Sequence, residues 1–411
     1  VSRIVRRDYL AETTSHPMTA AGPRSLSAFQ SLMREWSTLA PYNFVHAMRL
    51  PAPADVGRWQ AAADAAVQRL IEPGKIRVEE PANDIESHIE AELQRPFSPN
   101  DPPFRFFVID AGTDGHWFGA AVNHWIADDF SCRVLLHRIY GIYQEGLGGS
   151  SGAQLEWSRP SRQPGPFRAW YRFFKESMRM RRACRTSFGD PMDFKVQTFR
   201  ATFPDGALGA IRVLARETGV TVNDMLLAAT AQAFGAAREW KSATRRDAVA
   251  VASAMDLRRF GSDEQRQKLG LHIGYYISLA KRPHELPLPE VIREIAFQTT
   301  RLKGSAGTEL FGPALWPWRR SRSDYSKATI YSRGVPAVAG LSNVNLTGSW
   351  IEQADIREFR RFAATGPIVP MVLMITTFRG EIFIDVTFRT TVFAPAQARA
   401  LIDDVIRRLC C

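Results

Sequence analysis

Residues 123–129 read Asn-His-Trp-Ile-Ala-Asp-Asp, and their types and spacing could carry out chemistry. Trp117 to Val122 is an apolar strand. From Ser131 the period becomes helical, with Val134, Leu135, Ile139 and Ile142 on one face. His124 therefore stands on a strand-to-helix turn, where a strand end projects an imidazole into a cleft with little freedom to drift. A neutral imidazole can take the proton of a hydroxyl or amine that attacks a carbonyl, a contribution of about 10²–10⁴ in rate. Asp128, at the helix start, gains from the helix dipole and can hold an arginine from elsewhere in the chain. A lone His-x-x-x-Asp more often belongs to a structural histidine; only its surroundings can reverse that.

Those surroundings are elements of both periods. Phe104 to Ile109, the turn chemistry of Gly112 to Gly115, and Trp117 to Val122 make a hairpin. Helical spacing covers Val56 to Leu70 and Ile85 to Leu93, and Thr221-Val-Asn-Asp224 fits a capping box that opens a helix through Phe234. Ala248 to Met255 and Ala337 to Asn345 read as strands. Pro370 to Phe378 and Ile382 to Arg389 read as a second hairpin, and Pro395 to Leu409 as a closing helix. Strands and helices alternate in both halves, so an α/β (α+β) chain with mixed sheets is expected.

The 411 residues exceed one comfortable core and suggest two domains. Residues 1–22 read as a flexible tail, 23–165 as the domain carrying the motif and 166–411 as the second; Gly148 to Pro166 has linker composition. Four scattered Cys show neither zinc spacing nor a disulfide framework, which favours a reducing cytoplasm and no metal. No run approaches the ~20 apolar residues needed to cross a bilayer.

The net charge of +11 is concentrated in Arg168, Arg172, Lys175, Arg179, Arg181, Arg182 and Arg185, and again in Trp-Pro-Trp-Arg-Arg-Ser-Arg at 316–322. A phosphate-bearing cofactor, an acidic carrier protein or an anionic membrane face would suit such clusters, and so would a plain solvated basic face. No nucleic-acid-reading motif accompanies the charge, so nucleic acid is not expected.

Residues 123–129 resemble the His-His-x-x-x-Asp-Gly motif of the chloramphenicol acetyltransferase-like superfamily, which includes condensation domains, wax ester synthase/diacylglycerol acyltransferases and polyketide-associated acyltransferases. The resemblance runs in order along the chain from about residue 25 to the end. It takes in Pro96-Phe97-Ser98 to Arg105 before the motif, Thr221 to Ala229, Met255-Asp-Leu-Arg-Arg, Leu341-Ser-Asn-Val-Asn, and Gly366-Pro367 to Phe388.

The resemblance implies two similarly folded domains in a V around a central tunnel. A thioester of coenzyme A or of a carrier-protein phosphopantetheine arm would enter as co-substrate, with no permanently bound cofactor. A small alcohol or amine would be the acceptor. His124 would be the base, Asp128 a structural partner of Arg258, and Asn123 the stand-in for the first motif histidine. Asn343 and Ser131 would border the tunnel. Asp129 replaces the motif glycine, whose role is an unusual backbone angle and close approach to the reacting carbonyl; a carboxylate there would oppose an oxyanion unless it pointed away.

The expectation is a free-standing, monomeric acyltransferase of the cytoplasm, with ester formation favoured over amide. The donor, acyl-coenzyme A or an acyl- or peptidyl-carrier protein, would be delivered in trans. Contact with the inner membrane face through 167–185 is a further expectation. The alternative, prompted by Asp129, is a silent scaffold that binds a carrier protein or lipid.

Overall fold

His116–Asn123 carries the motif into the interior, and seven of its eight residues are buried. Such a strand needs neighbours on both edges and cover on both faces, and the rest of the fold supplies them. The computed structural model describes residues 26–72, 74–98, 100–146, 155–158, 166–238, 245–261, 268–303, 311–334 and 336–410. The expected tail at 1–22 and most of the linker at 148–166 lie outside these.

The strands are β1 (Asn43–Leu50), β2 (Val78–Glu79), β3 (Phe104–Asp110), β4 (His116–Asn123), β5 (Val196–Thr202), β6 (Ala248–Asp256), β7 (Ile273–Lys281), β8 (Ala337–Asn345), β9 (Glu358–Ala363), β10 (Met371–Phe378) and β11 (Glu381–Arg389). The helices are α1 (Ala28–Ser37), α2 (Val56–Val67), α3 (Ile85–Gln94), α4 (Asp129–Glu145), α5 (Pro166–Arg179), α6 (Ala207–Thr218), α7 (Val222–Ala236), α8 (Leu288–Lys303), α9 (Phe311–Arg320), α10 (Asp324–Gly334), α11 (Trp350–Gln353) and α12 (Pro395–Cys410).

The first sheet runs β2-β3-β4-β1-β9, with β2 parallel to β3 and the other pairs antiparallel. The second runs β5-β11-β10-β8-β6-β7, with β8 parallel to both β10 and β6. Both sheets are mixed, as the alternation of elements implies. Strand β9 departs from the expected division at 165/166: residues 358–363 return to the first sheet and pair with β1. The first sheet is therefore not built from 23–165 alone.

Local chemistry explains the elements that frame the motif. Gly119 in β4 faces the Phe107 ring so closely that a Cβ would lie 2.1 Å from Phe107 Cζ. That close packing lets Phe107 stay buried over the strand. Helix α4 begins where Asp128 caps it by accepting from the Ser131 backbone N–H. Helix α7 opens on the expected reciprocal capping box of Thr221 and Asp224. Its residues Met225 to Gly235 are all buried, because α8 and α12 pack against it while it lies on the second sheet.

Candidate active site

The backbone turn after β4 leaves His124 over a cavity of about 410 Å³. The walls come from both sheets and from α1 and α5; they include Phe44, Ala254, Tyr275, Leu341, Val372 and Met374, and are mostly apolar. Three contacts hold the imidazole. Tyr42 stacks on it at 5.3 Å and 20°, and Phe44 meets it edge-on at 4.9 Å. Nδ1 lies 3.2 Å from the Ala127 carbonyl oxygen.

A carbonyl only accepts, so Nδ1 carries the proton and Nε2 keeps its lone pair. Burial lowers the pKa of His124 below the ordinary 6.5, and the Ala127 carbonyl and Asp128 only partly oppose this. The ring is therefore neutral at pH 7. Gly366 fixes the Tyr42 platform from behind: its φ of +55° suits glycine, and a Cβ would lie 2.5 Å from Tyr42 Cε2.

Asp128 turns away from the cavity. Its Oδ2 accepts from Arg258 Nη1 at 2.6 Å and from the His272 backbone N–H at 2.7 Å. Its Oδ1 accepts from Ser131 N–H at 2.9 Å and lies 2.8 Å from Ser131 Oγ. Burial alone would raise this carboxyl's pKa, but Arg258 and the N–H donors outweigh it and hold the value below 3.8. Asp128 and Arg258 are both buried, and Phe130 packs beneath the guanidinium at 4.6 Å. Asp128 caps α4, whereas Arg258 and His272 flank the paired ends of β6 and β7. The ion pair therefore clasps the two halves of the chain.

Ser131 belongs to this clasp and not to a tunnel wall. It is 1% exposed, and its Oγ also receives N–H groups from Gly270 and Arg258 at 3.0 and 2.8 Å. Its hydrogen-bonding capacity is spent on structure. Asn343 is likewise not among the wall residues; its neighbour Ser342 is. Asn123 also stays off the wall, and its main chain ties the turn together, donating to Pro103 O at 3.0 Å and accepting from Ile126 N–H at 3.0 Å.

Asp129 does line the cavity, and it is the first residue of α4 with no positive φ. The expected unusual backbone angle is therefore not present at this position. Its carboxylate is matched by three basic groups. Arg361 Nε donates to Oδ1 at 2.6 Å, Arg133 Nε donates to Oδ2 at 3.0 Å, and His46 Nε2 lies 2.9 Å from Oδ1. Burial pushes the Asp129 pKa up, but Arg361, Arg133 and His46 outweigh it and hold it well below 3.8. His46 itself is depressed, first by burial, with Asp129 opposing.

Sequence reasoning missed Arg361, His46, Ser342, Tyr42 and Tyr275. Arg361 is fully buried on β9, where it pairs in register with His46 of β1. Its Nη1 donates to Ile375 O at 3.0 Å and Thr376 Oγ1 at 3.1 Å, and its Nη2 donates to Ser342 Oγ at 3.0 Å. With its lone pair occupied by a cation, the Ser342 hydroxyl keeps its hydrogen for another acceptor. Tyr42 hydrogen-bonds Tyr275; both phenols are pushed up, mainly by burial, Tyr275 to about 12. They stay protonated in the cavity wall.

Other histidine and cysteine side chains near the motif are structural. His116 is locked between Trp59 Nε1 at 3.0 Å and the Ala52 carbonyl at 2.6 Å, and His137 stacks on Trp350 at 4.7 Å. Burial, and then Asp129, push the Cys132 thiol well above its ordinary value, which keeps it inert.

Comparison with solved structures places this architecture. The condensation domain of the monacolin K polyketide synthase superposes with a TM-score of 0.67 at 13% identity, over 93% of this chain and 96% of that one. The trichothecene 15-O-acetyltransferase of Fusarium sporotrichioides gives 0.66 at 12% identity, over 93% of each chain. Polyketide synthase associated protein 5 of Mycobacterium tuberculosis gives 0.62 at 11% identity, over 92% of this chain and 96% of that one. No sequence-family model and no curated relative matches. The two-sheet fold of this chain is therefore similar to that of a condensation domain and an acetyltransferase.

Proposed function

We propose that this protein transfers an acyl group from a thioester to a hydroxyl or amine, with His124 Nε2 as general base. One observation carries the reading: a buried, neutral imidazole, anchored through Nδ1 to Ala127 O, lines a mostly apolar cavity. His124 Nε2 takes the acceptor's proton as its oxygen or nitrogen attacks the thioester carbonyl. The tetrahedral oxyanion collapses, the C–S bond breaks, and the imidazolium returns the proton to the departing thiolate. The Ser342 hydroxyl, polarised by Arg361, is the donor we assign to the oxyanion. Asp128 and Arg258 hold the turn and do not touch substrate.

The donor thioester, on coenzyme A or on a carrier protein's phosphopantetheine arm, acts as co-substrate and not as a resident cofactor. Arg172, Lys175 and Arg301 line the cavity and suit the phosphates of either donor. The resemblance favours ester formation, and neighbours such as the polyketide synthase domain suit a role in specialised metabolism. The alternative of a silent scaffold rested on an unneutralised Asp129; with Arg361 and Arg133 on that carboxylate, the objection loses its electrostatic basis.

The deciding experiment offers acyl-coenzyme A and acyl-carrier donors side by side, with alcohol and amine acceptors. It follows thiol release and product mass. Sustained turnover that His124→Ala lowers by about 10²–10⁴ is expected. Near-wild-type turnover by His124→Ala would sink the mechanism.

A further inference from the structure

Helix α5 exposes what a surface helix ordinarily hides. Phe167, Tyr171, Phe174 and Met178 recur at i, i+4, i+7 and i+11, so they share one face, and they are 91, 68, 64 and 42% exposed. The opposite side is occupied: Ala169 is buried, and Phe173, Glu176 and Ser177 line the cavity. Each exposed apolar residue is followed by a basic one, namely Arg168, Arg172, Lys175 and Arg179, although the Arg179 guanidinium is already held by Glu176, Gln298 and the Ile277 carbonyl. The basic residues form a second row about 100° around the helix. At the edge of the apolar row, Trp170 meets the exposed Trp316 of α9 edge-to-face at 6.0 Å. Arg320 lies 5.4 Å over that indole, and Arg319 and Arg322 are also exposed.

We propose that α5 and the exposed end of α9 form a docking surface for an anionic lipid bilayer. An aromatic row beside a basic row is the composition of a helix lying in the interface: rings enter the acyl boundary while guanidinium and ammonium groups meet lipid phosphates. Scattered exposed apolar side chains would need no explanation, but this row is contiguous and rimmed by cations. The row is about 16 Å long over residues 167–178, which suits insertion into a fluid layer. An acidic carrier protein could answer the basic row but offers no apolar bed of that length. Docking in this way sets the cavity beside the bilayer, because Phe173 and Ser177 of the same helix form its wall, and exposed Lys175 and Arg301 line it. A lipophilic substrate could then pass between membrane and cavity.

The test reads binding without substrate, so it does not depend on the acyl-transfer reading. The full chain is sedimented with vesicles of phosphatidylcholine alone, and with vesicles in which about a third is phosphatidylglycerol. Partition onto the anionic vesicles at least about tenfold above the neutral ones is expected, declining with salt. The triple variant Phe167→Ser, Tyr171→Ser, Phe174→Ser should lose that partition with an unchanged circular dichroism spectrum. Arg168→Gln with Lys175→Gln should lower the anionic preference. Equal partition onto both vesicle types overturns the proposal, as does partition that the triple variant retains. A complex with an acidic acyl carrier protein, formed while anionic vesicles capture nothing, also overturns it.

Discussion

Arg361 Nε donates to Asp129 Oδ1 at 2.6 Å across 232 residues of sequence, joining the start of α4 to β9 inside the cavity wall. Where the resembled motif has glycine, this chain holds a carboxylate with its own buried cation. The pair is part of the site's electrostatics, since Arg361 passes its remaining donors to Ser342, Thr376 and Ile375.

Restoring the motif glycine should therefore harm the protein. Asp129→Gly leaves Arg361 buried without its counter-ion, a loss of about 3–5 kcal/mol by analogy with other broken buried pairs. Denaturant melts should show it, and adding Arg361→Met should recover most of the loss. An Asp129→Gly protein as stable as wild type would contradict this account.

The clasp between the halves makes a second prediction. Asp128→Asn or Arg258→Met should each cost about 3–5 kcal/mol, because each strands a buried partner. The double variant should cost less than the sum of the two. Additivity of the two losses in a double-mutant cycle would mean that the pair is not coupled.

His124→Ala should lower kcat by about 10²–10⁴ while leaving the fold intact by circular dichroism. The wild-type rate should rise with pH along a limb centred below 6.5, then level off, because burial depresses the imidazole and only its neutral form is a base. A limb centred above 6.5 would exclude His124 as the titrating group.

Ser342→Ala should lower kcat by about 10², with KM changed little, if its hydroxyl serves the oxyanion. Loss confined to KM would place Ser342 in ground-state binding instead.

Stability should fall with acid in two stages. His46 and His124 have folded pKa values below 6.5, so the unfolded chain binds the extra protons, and stability declines as pH drops from about 6.5 toward those values. Asp128 and Asp129 are depressed below 3.8. Their contribution is present above about pH 4 and is lost as pH falls through their folded values. Melting temperature against pH checks both; His46→Gln should remove only its own share of the first stage, because His124 and other buried histidines are depressed as well.

Local periodicity and capping account for one part of the fold. The β3–β4 hairpin, the strand-to-helix turn at His124, the Thr221 capping box and the closing α12 depend on residues near one another in the chain. Ordered pieces of resemblance then led from that turn to Arg258, which the structure places 2.6 Å from Asp128. Tertiary structure alone decided the rest. Strand β9 reads Glu-Phe-Arg-Arg-Phe-Ala, with no apolar alternation to announce it, and it is a strand because β1 offers it an edge. Whether Asp129 repels an oxyanion or is neutralised depends on Arg361, and whether Ser131 meets substrate depends on Gly270 and Arg258. Charges and donors so far apart in sequence act on one another only when folding brings them within a few ångströms and removes the water between them.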